Sequence, residues 1–332
     1  ENITIERKFN KCYNYIRKKI YTKRICEKMK KQKKKFNFSN FELLTLTLPG
    51  LIYFFIFCYI PMFGVIIAFK KYNYVDGILG SKWIGFKNFE FFFKSQDAAR
   101  ITVNTIGYNA IFIVLGILAS VIVALMLYEI TERYLLKTFQ TAIILPNFLS
   151  WVIVGYIAYI LLNPNYGVFN QVIRLFGGEG VSWYSETKYW PYILTGFNIW
   201  KNVGMDSITY YAALMGISKE LFEAAEIDGA NKLQRTWTVS VPALIPIITI
   251  LGIMKVGNIF RGDFGLFYQI PRDIGTLYPV TDVVDTYLFR GLRGGDMGIS
   301  GAVGLFQSAV GFVLVVITNY IVKKIEPDNA MF

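Results

Sequence analysis

The chain of 332 residues contains no histidine, which excludes His-ligated metal centres and histidine general bases. Cysteine is scarce. Cys12 and Cys26 precede position 43 and Cys58 falls in an apolar run, so no outer pair exists to form a disulfide. The phosphate-cradling pattern Gly-x-x-x-x-Gly-Lys-Ser/Thr is absent. The glycine cluster GLRGGDMG (Gly291 to Gly298) lacks that spacing and reads as turns. The first long apolar run has no small-residue cleavage pattern and is too long for a leader, so it is expected to be a retained span.

Apolar residues are abundant: 54% of the chain is hydrophobic and 17% aromatic, too much for an ordinary soluble domain. A bilayer span needs ~20 mostly apolar residues. Six segments qualify, at roughly 43–69, 102–127, 138–162, 191–214, 237–260 and 301–322, and imply an all-α integral membrane protein. The fourth is the weakest, because Asn198, Lys201, Asn202 and Asp206 interrupt it. Pro61 is expected to kink the first span and Leu145-Pro146 the third. Trp83, Phe86, Phe89 and Phe91 to Phe93 suit a segment at the lipid headgroups.

The formal charge of +12 does not imply nucleic acid. Fourteen of the 35 Lys and Arg residues precede position 43, and beside a first span such a cluster fits the positive-inside rule and anionic lipid. That puts the arm 1–42, the loops 128–137 and 215–236 and the tail 325–332 in the cytoplasm. The remaining charges agree only slightly: counting all residues after the sixth span, 128–137, 215–236 and 323–332 hold 7 Lys/Arg in 42 inner residues, against 12 in 99 outer ones. Phe9, Tyr13, Ile16 and Ile20 would share a helical face suited to the inner leaflet; a disordered tail is the alternative.

Between the fourth and fifth spans lies EAAEIDGANKLQRTWTVSVP, Glu223 to Pro242. Ser218 is a good N-cap, so a helix is expected from Lys219 to about Ile227, ending at Gly229 in the left-handed region. Leu221, Ala224 and Ala225 would share a face on which small side chains admit a close partner. Pro242 is expected to restart the next helix, with Pro246 in its body.

The spacing Glu-Ala-Ala, three residues, Gly, nine residues, then aliphatic-x-aliphatic-Pro resembles the coupling-loop motif of type I ABC importer permeases. Here Glu223, Ala224, Ala225, Gly229, Val239, Val241 and Pro242 carry it, with valines where the common pattern has Ile and Leu. YIPMFGVIIAFKKY (Tyr59 to Tyr72), LPNFLSW (Leu145 to Trp151), IWKNVG (Ile199 to Gly204), DTYLFR (Asp285 to Arg290) and AVGLFQS (Ala302 to Ser308) extend the likeness to carbohydrate-uptake permeases, over about residues 42–324. It is nearest to the branch importing complex oligosaccharides.

The resemblance implies a six-span permease domain over 43–324 with a maltose-permease-like fold and a coupling loop at 216–230. It implies a bacterial plasma-membrane subunit that is not an enzyme. The expected partners are a second, different permease, two ATPase subunits carrying ATP and magnesium, and an extracellular solute-binding lipoprotein. Leu221, Glu223, Ala224, Ala225, Asp228 and Gly229 would then engage the ATPase.

Polar groups inside spans usually face a wet interior. Asn198, Asn202, Asp206 and Tyr210 are each four apart and form one tilted stripe able to bind sugar hydroxyls. Trp151, Tyr156, Tyr159, Trp200 and Tyr211 would offer ring faces, and Lys255 and Asn258 a charge and an amide. Equally, these groups would join helices, with Lys201 or Lys255 paired to Asp206, and Trp151 would pack. Two alternatives remain: a permease for a peptide, amino acid or other polar solute, and an envelope enzyme or assembly factor using Asp263, Asp273, Asp282, Asp285 and Asp296.

Overall fold

A computed structural model describes residues 39–325, so the helical face expected on the N-terminal arm and most of the tail lie outside the described residues. Two compact units divide between Phe63 and Gly64. In the first, α1 (Ser39–Phe54) continues as a π segment at Phe55–Tyr59 and a final turn at Ile60–Met62. Pro61 lacks an N–H, and the widened turn just before it accommodates the ring instead of a sharp kink. The apolar helix Thr45–Phe69 has 25 residues. At ~1.5 Å each that is about 37 Å, enough to cross a hydrocarbon core of ~30 Å.

The second unit begins within the 3-10 segment Phe63–Phe69, which leads into an antiparallel pair of two-residue strands, β1 (Lys70–Lys71) and β2 (Lys82–Trp83), with Lys70 opposite Trp83. Then follow α2 (Lys87–Lys94), α3 (Gln96–Tyr128), α4 (Arg133–Phe148), α5 (Trp151–Leu162), α6 (Val168–Leu175) and α7 (Trp190–Met215). The remainder comprises α8 (Lys219–Ile227), α9 (Lys232–Gly257), α10 (Phe264–Gln269), α11 (Val284–Gly294) and α12 (Met297–Ile325). The aromatic segment before α3 divides: Phe92 is fully buried against Tyr287 and Phe306, while Trp83, Phe86, Phe91 and Phe93 stay exposed.

The six expected segments do not all take the form of one long apolar helix. Among the described residues four helices are long and apolar enough to cross: Thr45–Phe69, α3, α9 and α12. The third expected span is the pair α4 and α5, bent by 99°. The bend falls after Pro146, at Leu149 and Ser150, where the Ser150 hydroxyl accepts from Ile153 N at 3.4 Å and starts α5. The fourth, α7, is an unbroken helix of 26 residues despite its polar groups. Exposed Val114, Leu118 and Ile122 on α3, and Phe312, Val316 and Tyr320 on α12, form four-residue stripes suited to lipid.

Two further expectations change. The residues before Pro242 are helical: α9 runs from Lys232, and a π segment at Thr236–Ser240 absorbs the proline. GLRGGDMG is helical as far as Gly294 and turns only at Gly295, which takes φ 89°.

A broken helix in an apolar medium leaves carbonyls without partners. Here one side chain meets three, of which that of Pro146 also accepts from Leu149 N at 3.2 Å. Lys201 of α7, buried at 7% exposure, donates from Nζ to the carbonyls of Pro146 (3.3 Å), Asn147 (2.9 Å) and Leu149 (2.5 Å). Close approach of the helices makes this possible, since a Cβ on Gly204 would overlap the Ile143 carbonyl. The aliphatic stem and ammonium also lie by Trp151, with Nζ 5.1 Å from its ring. Replacing Lys201 by Met keeps the stem and removes the donor; leaving buried acceptors unmet costs about 1–3 kcal/mol each. Lys201→Met is therefore expected to lower the thermal midpoint of the detergent-purified protein by several degrees, with Lys201→Arg closer to wild type. An unchanged midpoint for Lys201→Met would show that the carbonyls have another donor.

Candidate functional site

Two features stand out at separate places in the second unit. The first is α8. Ser218 caps it by accepting from Glu220 N at 3.3 Å, and the nine residues Lys219–Ile227 make a rod ~14 Å long. It ends where Ala230 N donates to the Ala225 carbonyl at 2.9 Å and Gly229 takes φ +81°. A reciprocal cap between Asn231 and Gln234 (2.8 and 2.9 Å) then starts α9.

Two contacts orient this short helix. Arg235 Nη1 meets Glu226 Oε2 at 2.9 Å, and the Phe222 ring is 5.6 Å from that of Tyr128 at the end of α3, while Lys232 of α9 lies 3.8 Å from Glu129 just past α3. No residue of α8 is buried. Leu221, Glu223, Ala224, Asp228 and Gly229 are exposed and Ala225 half-buried, while Ile227, Leu233 and Trp237 add exposed apolar area. A charged helix held at both ends and bare on its small-residue face is built to receive a partner.

The second feature is a cavity of about 550 Å³ bounded by α3, α4, α7 and α9. Asn198, Asn202 and Asp206 line it from α7, Lys255 and Asn258 from α9 and its end, Asn147 from α4 and Asn109 from α3, with Arg261 beyond α9. Lys255 Nζ donates to Asp206 Oδ2, joining α7 to α9. Asn147 Nδ2 approaches Asn202 Oδ1 at 3.4 Å, and Asn109 Nδ2 holds the Ile259 carbonyl at 2.9 Å. Phe112, Leu251 and Met254 supply the apolar remainder. A cavity with many amides and one internally neutralised ion pair suits a polar, hydroxyl-rich solute.

The expected stripe is brought together only in part. Each four-residue step rotates ~40°, so Tyr210 lies ~120° from Asn198. It is 1% exposed and packs with Ala124, Leu214 and Leu244; Tyr211 is half-buried beside that group. Trp200 lies against Phe197, outside the cavity lining. Trp151 is a packing residue: a Cβ on Gly265 would overlap its ring. Tyr156 and Tyr159 line another cleft. Lys201 does not pair with Asp206, because the carbonyls of the helix break engage it on a different face of α7. Asn109, Asn147 and Arg261 were not anticipated; an amide within the apolar run of α3 is the signal that marks Asn109.

The acidic set of the 261–300 region is scattered among separate structural partners. Asp263 caps α10 through Leu266 N at 3.2 Å. Asp282 is bound by Arg290 at 2.5 Å and Thr286 at 2.7 Å, and Asp273 lies 3.6 Å from Arg290. Asp285 accepts from Gly262 N at 2.7 Å and Gln307 at 3.0 Å; burial raises its pKa, partly offset by those donors. Among the described residues no three His, Cys, Asp or Glu converge as metal ligands.

An amide-lined cavity among long apolar helices, with an exposed short helix hung between two of them, defines a membrane transport permease. Residues 113–328 match the binding-protein-dependent transport system inner membrane component family, and the chain belongs to it. It is 36% identical over 288 residues to protein LplB of Bacillus subtilis (strain 168), covering 86% of this chain and 90% of that one. It is 34% identical over 310 residues to the polygalacturonan/rhamnogalacturonan transport system permease protein YteP of the same organism, covering 93% and 94%. A solved bacterial alginate ABC transporter, in complex with an alginate pentasaccharide-bound periplasmic protein, superposes with TM-score 0.78 at 32% identity, covering 86% of this chain and 96% of its own.

The chain is thus a multi-pass membrane protein with the type I ABC importer permease fold, not an enzyme, and such permeases work with a separate ATPase and a solute-binding protein. The Asp206–Lys255 pair is about one-third exposed to the cavity, so its net contribution is about 1 kcal/mol or less. Lys255→Met and Asp206→Asn are each expected to lower the thermal midpoint slightly. The double variant should recover most of the loss; additive losses would show that the two residues act independently.

Proposed function

We propose that this chain is one permease of an ATP-driven importer of oligosaccharides, and that α8 is its coupling helix. The observation that carries the cargo assignment is the amide lining of the cavity: Asn109, Asn147, Asn198, Asn202 and Asn258 offer donors and acceptors matched to sugar hydroxyls. The names of YteP and of the alginate importer, both concerned with carbohydrate polymers, support it.

In this reading the basic arm and α8 face the cytoplasm of a bacterial cell and the 163–190 and 261–300 segments face outward. A second, different permease completes the pathway. Two ATPase subunits, holding ATP and magnesium, receive α8 in a surface groove, and an extracellular lipoprotein delivers the sugar. Closure of the ATPases on ATP moves α8 as a rigid lever, because Arg235–Glu226 binds it to α9 and the Phe222–Tyr128 ring contact sets it against α3. The cavity then opens outward, and hydrolysis resets it. Glu223, Ala224 and Asp228 provide the contact surface, and Gly229 the turn that sets its angle.

The experiment is uptake by the reconstituted complex. Gly229→Val, strained at φ +81°, and Glu223→Ala are each expected to reduce uptake and substrate-stimulated ATPase activity at least about tenfold, with unchanged amounts in the membrane. Asp206→Ala should reduce uptake while the ATPase subunits still co-purify. Normal uptake in both α8 variants would reject the coupling role. Uptake of a peptide or amino acid but of no oligosaccharide would replace the cargo.

A further inference from the structure

A second cleft lies apart from the amide-lined cavity. α9 begins beside α8, and this cleft forms past its far end, where α10 and the following turn meet α5. It encloses about 230 Å³ between Tyr156 and Tyr159 of α5, Tyr268 and Gln269 of α10, and Arg272 and Asp273 of that turn.

The backbone around it is specialised. A Cβ on Gly155 would come within 2.8 Å of the Gln269 carbonyl oxygen, so the absent side chain lets α5 lie against α10. Arg272 and Asp273 both occupy the left-handed region, with φ 60° and 53°. Two consecutive non-glycine residues there are strained, which the surroundings must hold in place. They do so from one side: the Tyr278 hydroxyl donates to Asp273 Oδ1 at 3.0 Å, and Arg290, itself anchored on Asp282, lies 3.6 Å away.

The result is a presented cation. The Arg272 guanidinium lies over the Tyr159 ring, 4.2 Å from its centroid, and among the described residues it makes no ion pair. Tyr159 is backed by Tyr184, 6.0 Å away, whose hydroxyl donates to the Ile270 carbonyl at 3.4 Å. Burial pushes the Tyr184 pKa up to about 12, so it remains a neutral donor at any physiological pH.

Aromatic faces beside a planar cation, an amide and a carboxylate suit a pyranose ring. The C–H faces of the sugar lie against the phenol rings, and its hydroxyls meet Gln269, Arg272 and Asp273. The geometry points to this cleft as an outer subsite for one sugar unit of the oligosaccharide cargo, distinct from the amide-lined cavity. It rests on the carbohydrate reading above and adds where an incoming chain is held before it reaches Asn198 and Asn202.

The test is fluorescence anisotropy of end-labelled tetragalacturonate, and separately of labelled maltotetraose, with the purified permease–ATPase complex in nanodiscs and no solute-binding protein. Tyr159→Ala and Arg272→Ala are each expected to weaken binding of at least one probe about tenfold, whereas Tyr159→Phe stays within about twofold. Wild-type binding that neither variant alters would overturn the subsite and leave the cargo reading standing. Wild type binding neither probe would overturn both. Loss of the second permease or of solute-binding-protein affinity in the variants, with probe binding unchanged, would make the cleft a protein contact and overturn the subsite.

Discussion

Three backbone carbonyls at the 99° break between α4 and α5, that of Pro146 also accepting from the Leu149 N–H, converge on one ammonium, that of Lys201. In water such groups would find solvent; within a bilayer each must be met by protein. Because Lys201 belongs to α7, the bond that satisfies the break also ties the bent pair to the helix carrying the polar stripe. Asn147, at the end of α4, is thereby held beside Asn202. α5 is sent off at an angle that lays Gly155 against Gln269. The cavity and the outer cleft both follow from that one redirection.

At the other end, local chemistry dominates. α8 needs no burial to form: its Ser218 cap and the Gly229 turn satisfy its termini, and the Arg235–Glu226 ion pair with the Phe222–Tyr128 ring contact fixes its direction. What it leaves exposed is a face of leucine and alanine ringed by charge. The exposed stripes of α3 and α12 differ in kind, being apolar along their length and suited to lipid rather than to a specific partner.

This division explains what was legible in the sequence. The bounds of α8, the N-cap at Ser218 and the left-handed Gly229 were readable because they depend on neighbouring residues only. The cavity was readable in its first three steps, Asn198, Asn202 and Asp206, and failed at Tyr210 because helical drift accumulates. The break at Leu149 was displaced from the expected kink, since Pro146 is tolerated in the last turn of α4 while the actual bend depends on a lysine 52 residues away from Leu149. The π segments before Pro61 and Pro242 likewise have no signature beyond the proline itself. Arg272 over Tyr159 joins residues more than a hundred positions apart, and no local pattern carries it.

The central claim is that α8 is the surface on which an external motor acts. A photoreactive amino acid placed at Ala224 tests it directly in the reconstituted complex, followed by identification of the cross-linked chain. The account predicts a covalent adduct with the ATPase subunit whose yield changes when ATP is bound. Cross-linking solely to lipid or to a second permease, while the ATPase remains attached to the complex, would contradict it.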